Sequence, residues 1–283
     1  MMKTFRALAT ACAISVLALG AAQAQPAQAG KTTPTVPAYV PQSGQAGKDV
    51  VWVPTQDALV ARMLDMAKVT KDDRLVDLGS GDGRTVIAAA KRGLNARGIE
   101  YNADLVTLSQ RNAEAEGVSD KARFERGDIF ETDFSDATVV TLFLLPELNL
   151  RLRPTLLNMK PGTRIVSNSF TMDDWTPDET AVLAENCSTF CRAHHWVVPA
   201  KVAGTWRLGD GELRLTQTFQ MLEGYLAQGG RKAPISQARM KGSEISFMID
   251  GRRYTGTVDG ARITGRSEGE GAARDWQAMR SST

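Results

Sequence analysis

The segment 76–83, which reads VDLGSGDG, constrains the fold of this chain more than any other feature. It joins an apolar strand containing Asp77 to a helical stretch through three glycines at alternate positions. Glycine lets the backbone turn tightly, and it lets a ligand approach bare N–H groups at the start of the helix. The segment therefore predicts an α/β fold with a ligand crevice at the carboxyl end of this strand.

A second acidic residue indicates what kind of ligand the crevice binds. Glu100 closes another apolar strand, 23 residues after Asp77. A carboxylate at this place can accept hydrogen bonds from both hydroxyls of a ribose. Because the carboxyl ends of parallel strands meet at one edge of a sheet, the pattern predicts a nucleoside site.

The glycine spacing distinguishes between two kinds of nucleoside. A nicotinamide dinucleotide site has the pattern G-x-G-x-x-G, and its third glycine would stand where this chain has Arg84. Here the spacing is G-x-G-x-G, and Asp77 lies two residues before the first glycine. A carboxylate there repels a pyrophosphate but suits S-adenosylmethionine, whose sulfonium and α-amino group are both positive. The pattern thus resembles motif I of the class I methyltransferases.

A third element agrees with this resemblance. Gly127-Asp128-Ile129 follows a predicted strand, Ala122–Arg126. In that superfamily an acid at this point accepts from the adenine amino group, and the next apolar residue packs on the ring. The resemblance implies S-adenosylmethionine as cofactor. It implies the following binding residues: Asp77, Gly79, Ser80, Gly81, Asp82, Gly83, Glu100, Asp128 and Ile129.

Further motifs narrow the resemblance to one family. Residues 77–86 read DLGSGDGRTV, residues 141–146 read TLFLLP, and residues 160–167 read KPGTRIVS. Over roughly residues 50–205 the chain resembles the small protein-lysine methyltransferases that include the enzymes modifying the mitochondrial ATP synthase and the adenine nucleotide translocase. Gln56 departs from the family, which often has proline there. The resemblance implies N-methylation of lysine side chains in a protein substrate.

The acceptor side is less well marked. The stretch Leu142–Pro146 occupies the place where the superfamily sets its acceptor, and it lacks the Asn-Pro-Pro-aromatic tetrad of the amide and adenine methyltransferases. Thr55, Pro146 and Asn149 are the substrate-side candidates, although turn and helix-cap roles explain each of them nearly as well. No catalytic base is assigned, because desolvation in an apolar channel and nearby carbonyls favour a neutral lysine amine.

The amino terminus predicts export. A basic start, Met1–Arg6, precedes an apolar run, Ala7–Gly20, that is short for a membrane span. Ala22-Gln23-Ala24 then offers a small-x-small cleavage site. Residues 1–24 are therefore predicted to be a signal peptide of a periplasmic or secreted protein without a stable membrane span. An uncleaved amino-terminal membrane anchor is the alternative.

Charge and compartment bear on the partners. Cleavage would remove Lys3 and Arg6 from 34 basic residues, which leaves as many as the 32 acidic ones. A neutral chain has no general attraction for nucleic acid, so a nucleic-acid partner is not expected.

Export conflicts with a cofactor that is made in the cytoplasm. An exported, non-catalytic binding protein that retains the methyltransferase fold is therefore the second hypothesis.

The two cysteines of the mature chain, Cys187 and Cys191, leave three states open. An even number of cysteines in an oxidising compartment favours a disulfide. Free thiols are the next alternative. A zinc site with His194 and His195 is disfavoured, because no C-x2-C pattern is present and adjacent histidines on a strand point to opposite faces. No metal site is predicted.

Four segments are expected along the chain. The signal peptide is followed by a flexible linker, residues 25–48, rich in Pro, Gln, Ala and Gly. Residues 49–203 alternate strand and helix, with strands expected at 137–145 and 164–170. This predicts a doubly wound, mostly parallel, seven-stranded methyltransferase sheet. Residues 204–283 lose helical periodicity and predict a small β-rich domain, an antiparallel meander.

Overall fold

The computed structural model describes residues 39–185 and 187–281 of the chain. The predicted signal peptide and most of the predicted linker lie outside the described residues. Within the described part, no helix has the length and apolar character needed to cross a bilayer.

Seven strands build the first sheet. They are β1 Arg74–Leu78, β2 Asn95–Glu100, β3 Ala122–Arg126, β4 Val139–Leu142, β5 Arg164–Asn168, β6 Glu179–Val182 and β7 Arg192–Val197. The order across the sheet is β3-β2-β1-β4-β5-β7-β6. Strands β1 to β5 are parallel, whereas β7 is antiparallel to β5 and β6 is antiparallel to β7. The predicted seven-stranded, mostly parallel sheet is confirmed.

Four helices cover the two faces of this sheet. They are α1 Asp57–Met66, α2 Arg84–Lys91, α3 Ala103–Ala115 and α4 Pro146–Leu156. Helices α1 and α2 cover one apolar core, which includes Leu59 and Val86, while α4 packs on a second core that contains Trp175 and Trp196. A sheet buried on both faces needs apolar residues throughout its strands, and all four residues of β4 are buried.

Two predicted strands end earlier than expected. Strand β4 ends at Leu142 instead of residue 145, because Phe143, Leu144 and Leu145 leave the sheet to line a crevice. Strand β5 ends at Asn168, since Ser169 has a left-handed φ of 60° that breaks the extended backbone. Both departures occur at the edge of the sheet where the candidate site lies.

Nine strands build the second sheet. They are β8 Gly204–Leu208, β9 Gly211–Thr218, β10 Met221–Gln228, β11 Arg231–Pro234, β12 Ser236–Lys241, β13 Glu244–Ile249, β14 Arg252–Asp259, β15 Arg262–Glu268 and β16 Arg274–Arg280. Eight of them close into a barrel in the order β10-β12-β13-β14-β15-β16-β8-β9, and β9 pairs with β10 to complete the ring. Strand β11 pairs with the end of β10 alone.

The prediction of an open antiparallel meander is therefore wrong, because the strands close into a barrel. Alternating apolar and polar residues look the same in an open sheet and in a barrel. The ring depends on a long-range pairing between β8 and β16, in which Trp206 lies opposite Arg280. The interior is filled by buried side chains such as Trp206 and Phe247.

The barrel packs directly against the first sheet's domain. Arg239 forms an ion pair with Asp178 at 2.6 Å, and Gln220 donates to the Thr176 carbonyl at 2.7 Å. The Phe219 ring stacks on Trp175 with centroids 5.9 Å apart. These contacts attach the barrel to the segment between β5 and β6.

Candidate active site

The crevice lies along the carboxyl edge of the first sheet. Strands β1 and β4 are neighbours there, and the strand order reverses between them, which is where open α/β sheets bind ligands. The crevice residues fall between Gln45 and Phe190, so the described part of the barrel contributes none of them. Eight of the nine predicted cofactor-binding residues line it. Gly83, the residue before α2, is not part of the lining and packs close to Phe124 and Ser109.

Asp77 is the most perturbed acidic group of the crevice. It is 7% exposed and accepts a hydrogen bond of 2.6 Å from the hydroxyl of Thr141, its register partner on β4. Burial raises the pKa of Asp77 to about 7, and the nearby carboxylates of Glu100 and Asp82 contribute to the increase. Burial and the neighbouring carboxylates both make the ionised form of Asp77 costly. A cationic ligand in the crevice would offset that cost.

The glycine loop holds the second carboxylate in place. The N–H groups of Gly79 and Ser80 both donate to the Ile99 carbonyl, which fastens the loop to β2. The Gly81 N–H donates to one oxygen of Glu100 at 3.0 Å, and the Asn102 N–H donates to the other at 2.9 Å. Each carboxylate oxygen keeps a further lone pair, so Glu100 can still accept from a pair of ribose hydroxyls.

The side chains of Asp82 and Ser80 are surrounded by neighbouring groups of the protein. Asp82 forms an ion pair with Arg84 at 2.6 Å, and Arg84 also donates to the Thr55 carbonyl at 2.9 Å. These bonds tie the glycine loop to the segment before α1. The Ser80 hydroxyl is buried without a hydrogen-bond partner in the described part of the chain, in space that Gly98 leaves open.

Lys48 enters the crevice from the end of the predicted linker, residues 25–48. Its ammonium donates to Asp128 at 2.5 Å and lies 4.8 Å from the centroid of the Tyr101 ring. The hydrogen bond from Lys48 lowers the pKa of Asp128. The Phe130 N–H binds the second carboxylate oxygen at 3.0 Å. Lys48 thus occupies the acceptor that the resemblance assigned to the adenine amino group.

Replacing Lys48 with Ala is expected to tighten binding of S-adenosylhomocysteine by about 2- to 5-fold, since an exposed ion pair of up to about 1 kcal/mol no longer competes for Asp128. Titration calorimetry on the purified full chain measures this. Lys48→Arg keeps the charge and is the matched control. Weaker binding by the Ala variant would show instead that Lys48 contacts the ligand favourably.

An aromatic wall continues the crevice beyond the glycine loop. We define it as Phe143, Phe170 and Phe190, which follow β4, follow β5 and precede β7. The ring centroids are 5.1 Å apart for Phe143 and Phe190, 6.0 Å for Phe170 and Phe190, and 6.1 Å for Phe143 and Phe170. These rings were not predicted as site residues from the sequence. Phe143 lies within the TLFLLP motif, but the other two carry no local signal.

The three substrate-side candidates fall in different places. Thr55 lines the crevice, and its hydroxyl accepts from the Asn168 amide at 3.1 Å rather than capping α1. Pro146 is exposed at the first position of α4, where its missing N–H is tolerated. Asn149 is fully buried, and its amide donates to the carbonyls of Phe170 and Thr171. Pro146 and Asn149 thus lie outside the crevice lining, and Asn149 holds the backbone of the segment that carries Phe170.

The cysteines are joined in the structure. Cys187 and Cys191 form a disulfide with Cα atoms 5.7 Å apart, immediately beside Phe190. His194 shares a hydrogen bond of 2.9 Å with the Thr180 hydroxyl. Among residues 39–185 and 187–281, no group of three His, Cys, Asp or Glu side chains could hold a metal ion.

The sheet order, with β7 antiparallel beside β5, and the carboxylate-lined crevice define a class I S-adenosylmethionine-dependent methyltransferase. The buried Asp77, the oriented Glu100 and the glycine loop fit that cofactor. Comparison with known proteins then narrows the class. The family model described as the ANTKMT methyltransferase domain matches residues 77–179.

Two relatives show the family. A protein-lysine N-methyltransferase of Saccharolobus islandicus (strain REY15A) is 46% identical over 46% of this chain and 83% of its own length. A human lysine N-methyltransferase named for ATP synthase is 34% identical over 52% of this chain and 69% of its own length. This chain belongs to that family of methyltransferases, and the resemblance predicted from the motifs is confirmed.

A solved structure is also similar. The crystal structure of an RNA methyltransferase from Salinibacter ruber in complex with S-adenosyl-L-homocysteine shares 46% identity with this chain. It aligns with a TM-score of 0.50 over 53% of this chain and 96% of that chain. The predicted cofactor is thus confirmed. The names of these three relatives differ in the acceptor, which is lysine in two cases and RNA in the third.

Proposed function

We propose that this enzyme transfers the methyl group of S-adenosylmethionine to the side-chain amine of lysine in a protein substrate. The observation that carries the proposal is the order of groups along the sheet edge. Carboxylates lie at the ends of β2 and β1, and the aromatic wall follows at the ends of β4 and β5 and the start of β7. The crevice thus changes from acidic to apolar where an acceptor would enter.

The acidic half suits the cofactor. Asp77 would hold the amino end, Glu100 the ribose hydroxyls, and Asp128 with Ile129 the adenine. When bound, S-adenosylmethionine would supply a methyl group on a cationic sulfur. A neutral amine attacks the methyl carbon in line with that sulfur, the carbon–sulfur bond breaks, and S-adenosylhomocysteine leaves. Positioning of the two reactants supplies most of the rate acceleration in such a step.

The apolar half suits a lysine. An ammonium is unreactive, so the amine must first lose its proton. Contact with Phe143, Phe170 and Phe190 desolvates the amine and lowers its pKa, because burial disfavours the charged form. Bulk solvent takes the proton as the side chain passes from water into this apolar half, and no side-chain base is required.

The rim of the crevice favours a protein over RNA. Four exposed apolar or aromatic side chains line the crevice: Val51 (51% exposed), Tyr101 (46%), Leu145 (38%) and Phe190 (40%). An exposed apolar rim is typical of a protein-binding surface. A phosphate backbone would instead be met by clustered Lys and Arg, and the net charge of the chain is only +2.

The test uses the purified full chain with isotope-labelled S-adenosylmethionine and two acceptors, a protein extract and total RNA. We expect label in methylated lysine, identified by mass spectrometry of peptides. The same extract with its lysines chemically acetylated is the control and should take up no label. Label that appears in RNA, or that persists in the acetylated extract, would overturn the lysine assignment.

We also propose that the protein is exported. The leader composition supports this, as does the Cys187–Cys191 disulfide, since such bonds persist in oxidising compartments. Compartment fractionation is the test. An uncleaved chain in the cytosol would overturn export, and an uncleaved chain in the membrane would support the anchored alternative.

Cofactor binding without transfer to any acceptor would favour the second hypothesis, a non-catalytic binding protein that retains the methyltransferase fold.

A further inference from the structure

We infer that the Cys187–Cys191 disulfide positions Phe190 as one side of the acceptor channel, so that efficient use of the acceptor requires the oxidised chain. The inference rests on the proposed function, because it assigns the aromatic wall to the acceptor. It makes Phe190 an acceptor-contacting residue and the two cysteines positioning residues.

The backbone at Phe190 needs an external constraint. Its φ is 56°, in the left-handed region that a bulky side chain rarely adopts. Such a conformation persists when the surrounding structure holds it. Phe190 is 40% exposed, so burial does not supply that hold.

The disulfide supplies the constraint. Cys191 is the residue after Phe190, and its carbonyl accepts from the Leu183 N–H at 2.8 Å, next to the β6–β7 pairing. Cys187 is tied to Cys191 by the disulfide. The turn that carries Phe190 is therefore closed at its base, and the ring is held 5.1 Å from the Phe143 ring, centroid to centroid.

Opening the disulfide should affect the acceptor and spare the cofactor. Strands β4 and β5 separate the start of β7 from the glycine loop after β1. If the Phe190 ring moves away from the wall, the Phe143 and Phe170 rings become open to water on that side. The incoming amine would then keep more of its hydration and enter the neutral state less readily.

Reduction by a dithiol gives a direct test on the full chain. The dithiol donates two electrons and two protons, so that Cys187 and Cys191 become thiols and the reagent becomes a cyclic disulfide. We expect the KM for the acceptor to rise about 3- to 10-fold, the range that corresponds to loss of an aromatic contact. The Kd for S-adenosylhomocysteine should stay within about twofold.

Three variants separate positioning from general damage. The double variant Cys187→Ser/Cys191→Ser should match the reduced parent and should not respond further to the dithiol. Phe190→Ala should show the same increase in KM, whereas Phe190→Tyr should restore the parent value. An equal KM in the oxidised parent, the reduced parent and the double variant would overturn the inference, as would a parallel loss of cofactor affinity.

Two readouts keep this test distinct from that of the proposed function. The KM ratio between oxidised and reduced chain is measured on whichever residue is methylated, so a non-lysine acceptor overturns the lysine assignment alone. NMR of phenylalanine-labelled chain needs no turnover. A nuclear Overhauser contact between Phe190 and Phe143 should vanish on reduction, and its persistence would overturn the positioning role.

Discussion

Replacing Asp77 with Asn is expected to weaken S-adenosylmethionine binding by about 100-fold, in line with loss of a hydrogen bond to a charged group in a buried site. The same change should stabilise the cofactor-free protein at pH 8. Both effects have one cause. Asp77 is 7% exposed, and its charged neighbours are carboxylates, so the ionised form is costly until a cation arrives.

The sign of the pH dependence follows from the raised pKa of Asp77. In the unfolded chain the pKa is 3.8, and in the folded chain it is about 7. Between these values the folded protein binds more protons, so the stability contributed by neutral Asp77 is full below about pH 4 and lost as the pH rises to about 7. One pKa unit corresponds to about 1.4 kcal/mol. Neighbouring groups relax around the ionised carboxylate, so the effect is smaller than the full pKa difference implies. We expect the free energy of unfolding of the Asn variant at pH 8 to exceed that of the parent by about 2 kcal/mol.

Urea unfolding of the parent and the Asp77→Asn variant, at intervals from pH 4 to pH 8, measures the difference in free energy of unfolding. The difference should grow over this range and level off above about pH 7. Thr141→Val is the matched control, because it removes the 2.6 Å hydrogen bond to Asp77 and leaves the carboxylate. A constant difference between parent and Asn variant across this range would contradict the assigned pKa.

Replacing Gly83 with Ala is the second large change. Gly83 has a φ of 83°, and an added Cβ would lie 2.7 Å from the Phe124 ring and 2.9 Å from the Ser109 side chain. Left-handed backbone costs a non-glycine residue about 1–2 kcal/mol, and overpacking costs about 1–3 kcal/mol more. We expect about 3 kcal/mol of destabilisation together with loss of measurable cofactor binding, because the loop before α2 must shift.

Gly117→Ala isolates the backbone contribution. Gly117 has a φ of 67°, and no heavy atom lies within 4 Å of the added Cβ. The cost should be about 1 kcal/mol, with cofactor affinity unchanged. Thermal and urea unfolding of both variants, with calorimetry of S-adenosylhomocysteine binding, gives the comparison. Equal destabilisation at the two positions would contradict a close contact at Gly83.

The cofactor side of the site was largely predictable from the sequence. A strand, a glycine turn and a helix are local elements, and the relevant residues lie directly at the ends of β1, β2 and β3. Parallel neighbours bring those ends to one edge, so Asp77, Glu100 and Asp128 follow each other in space once their strands are recognised. Lys48 was not predicted, because it reaches Asp128 from 80 residues away.

The aromatic wall was not predictable in the same way. Phe170 and Phe190 approach each other because β7 runs antiparallel beside β5, which brings the start of one strand to the end of the other. Their positions also depend on irregular backbone, at Ser169 and at Phe190 itself. Neither feature follows from periodicity, which reports on the face of a strand and not on the path of the chain after it ends.

The α/β class, the cofactor and the order of the carboxylates could be read from the sequence, because each depends on short strand-and-turn motifs. Three further features depend on the folded chain as a whole: the carboxy-terminal strands close into a barrel, Lys48 covers Asp128, and three phenylalanines meet beside the crevice. Those outcomes depend on pairings between distant segments, whose free energy is gained only when the whole chain has folded.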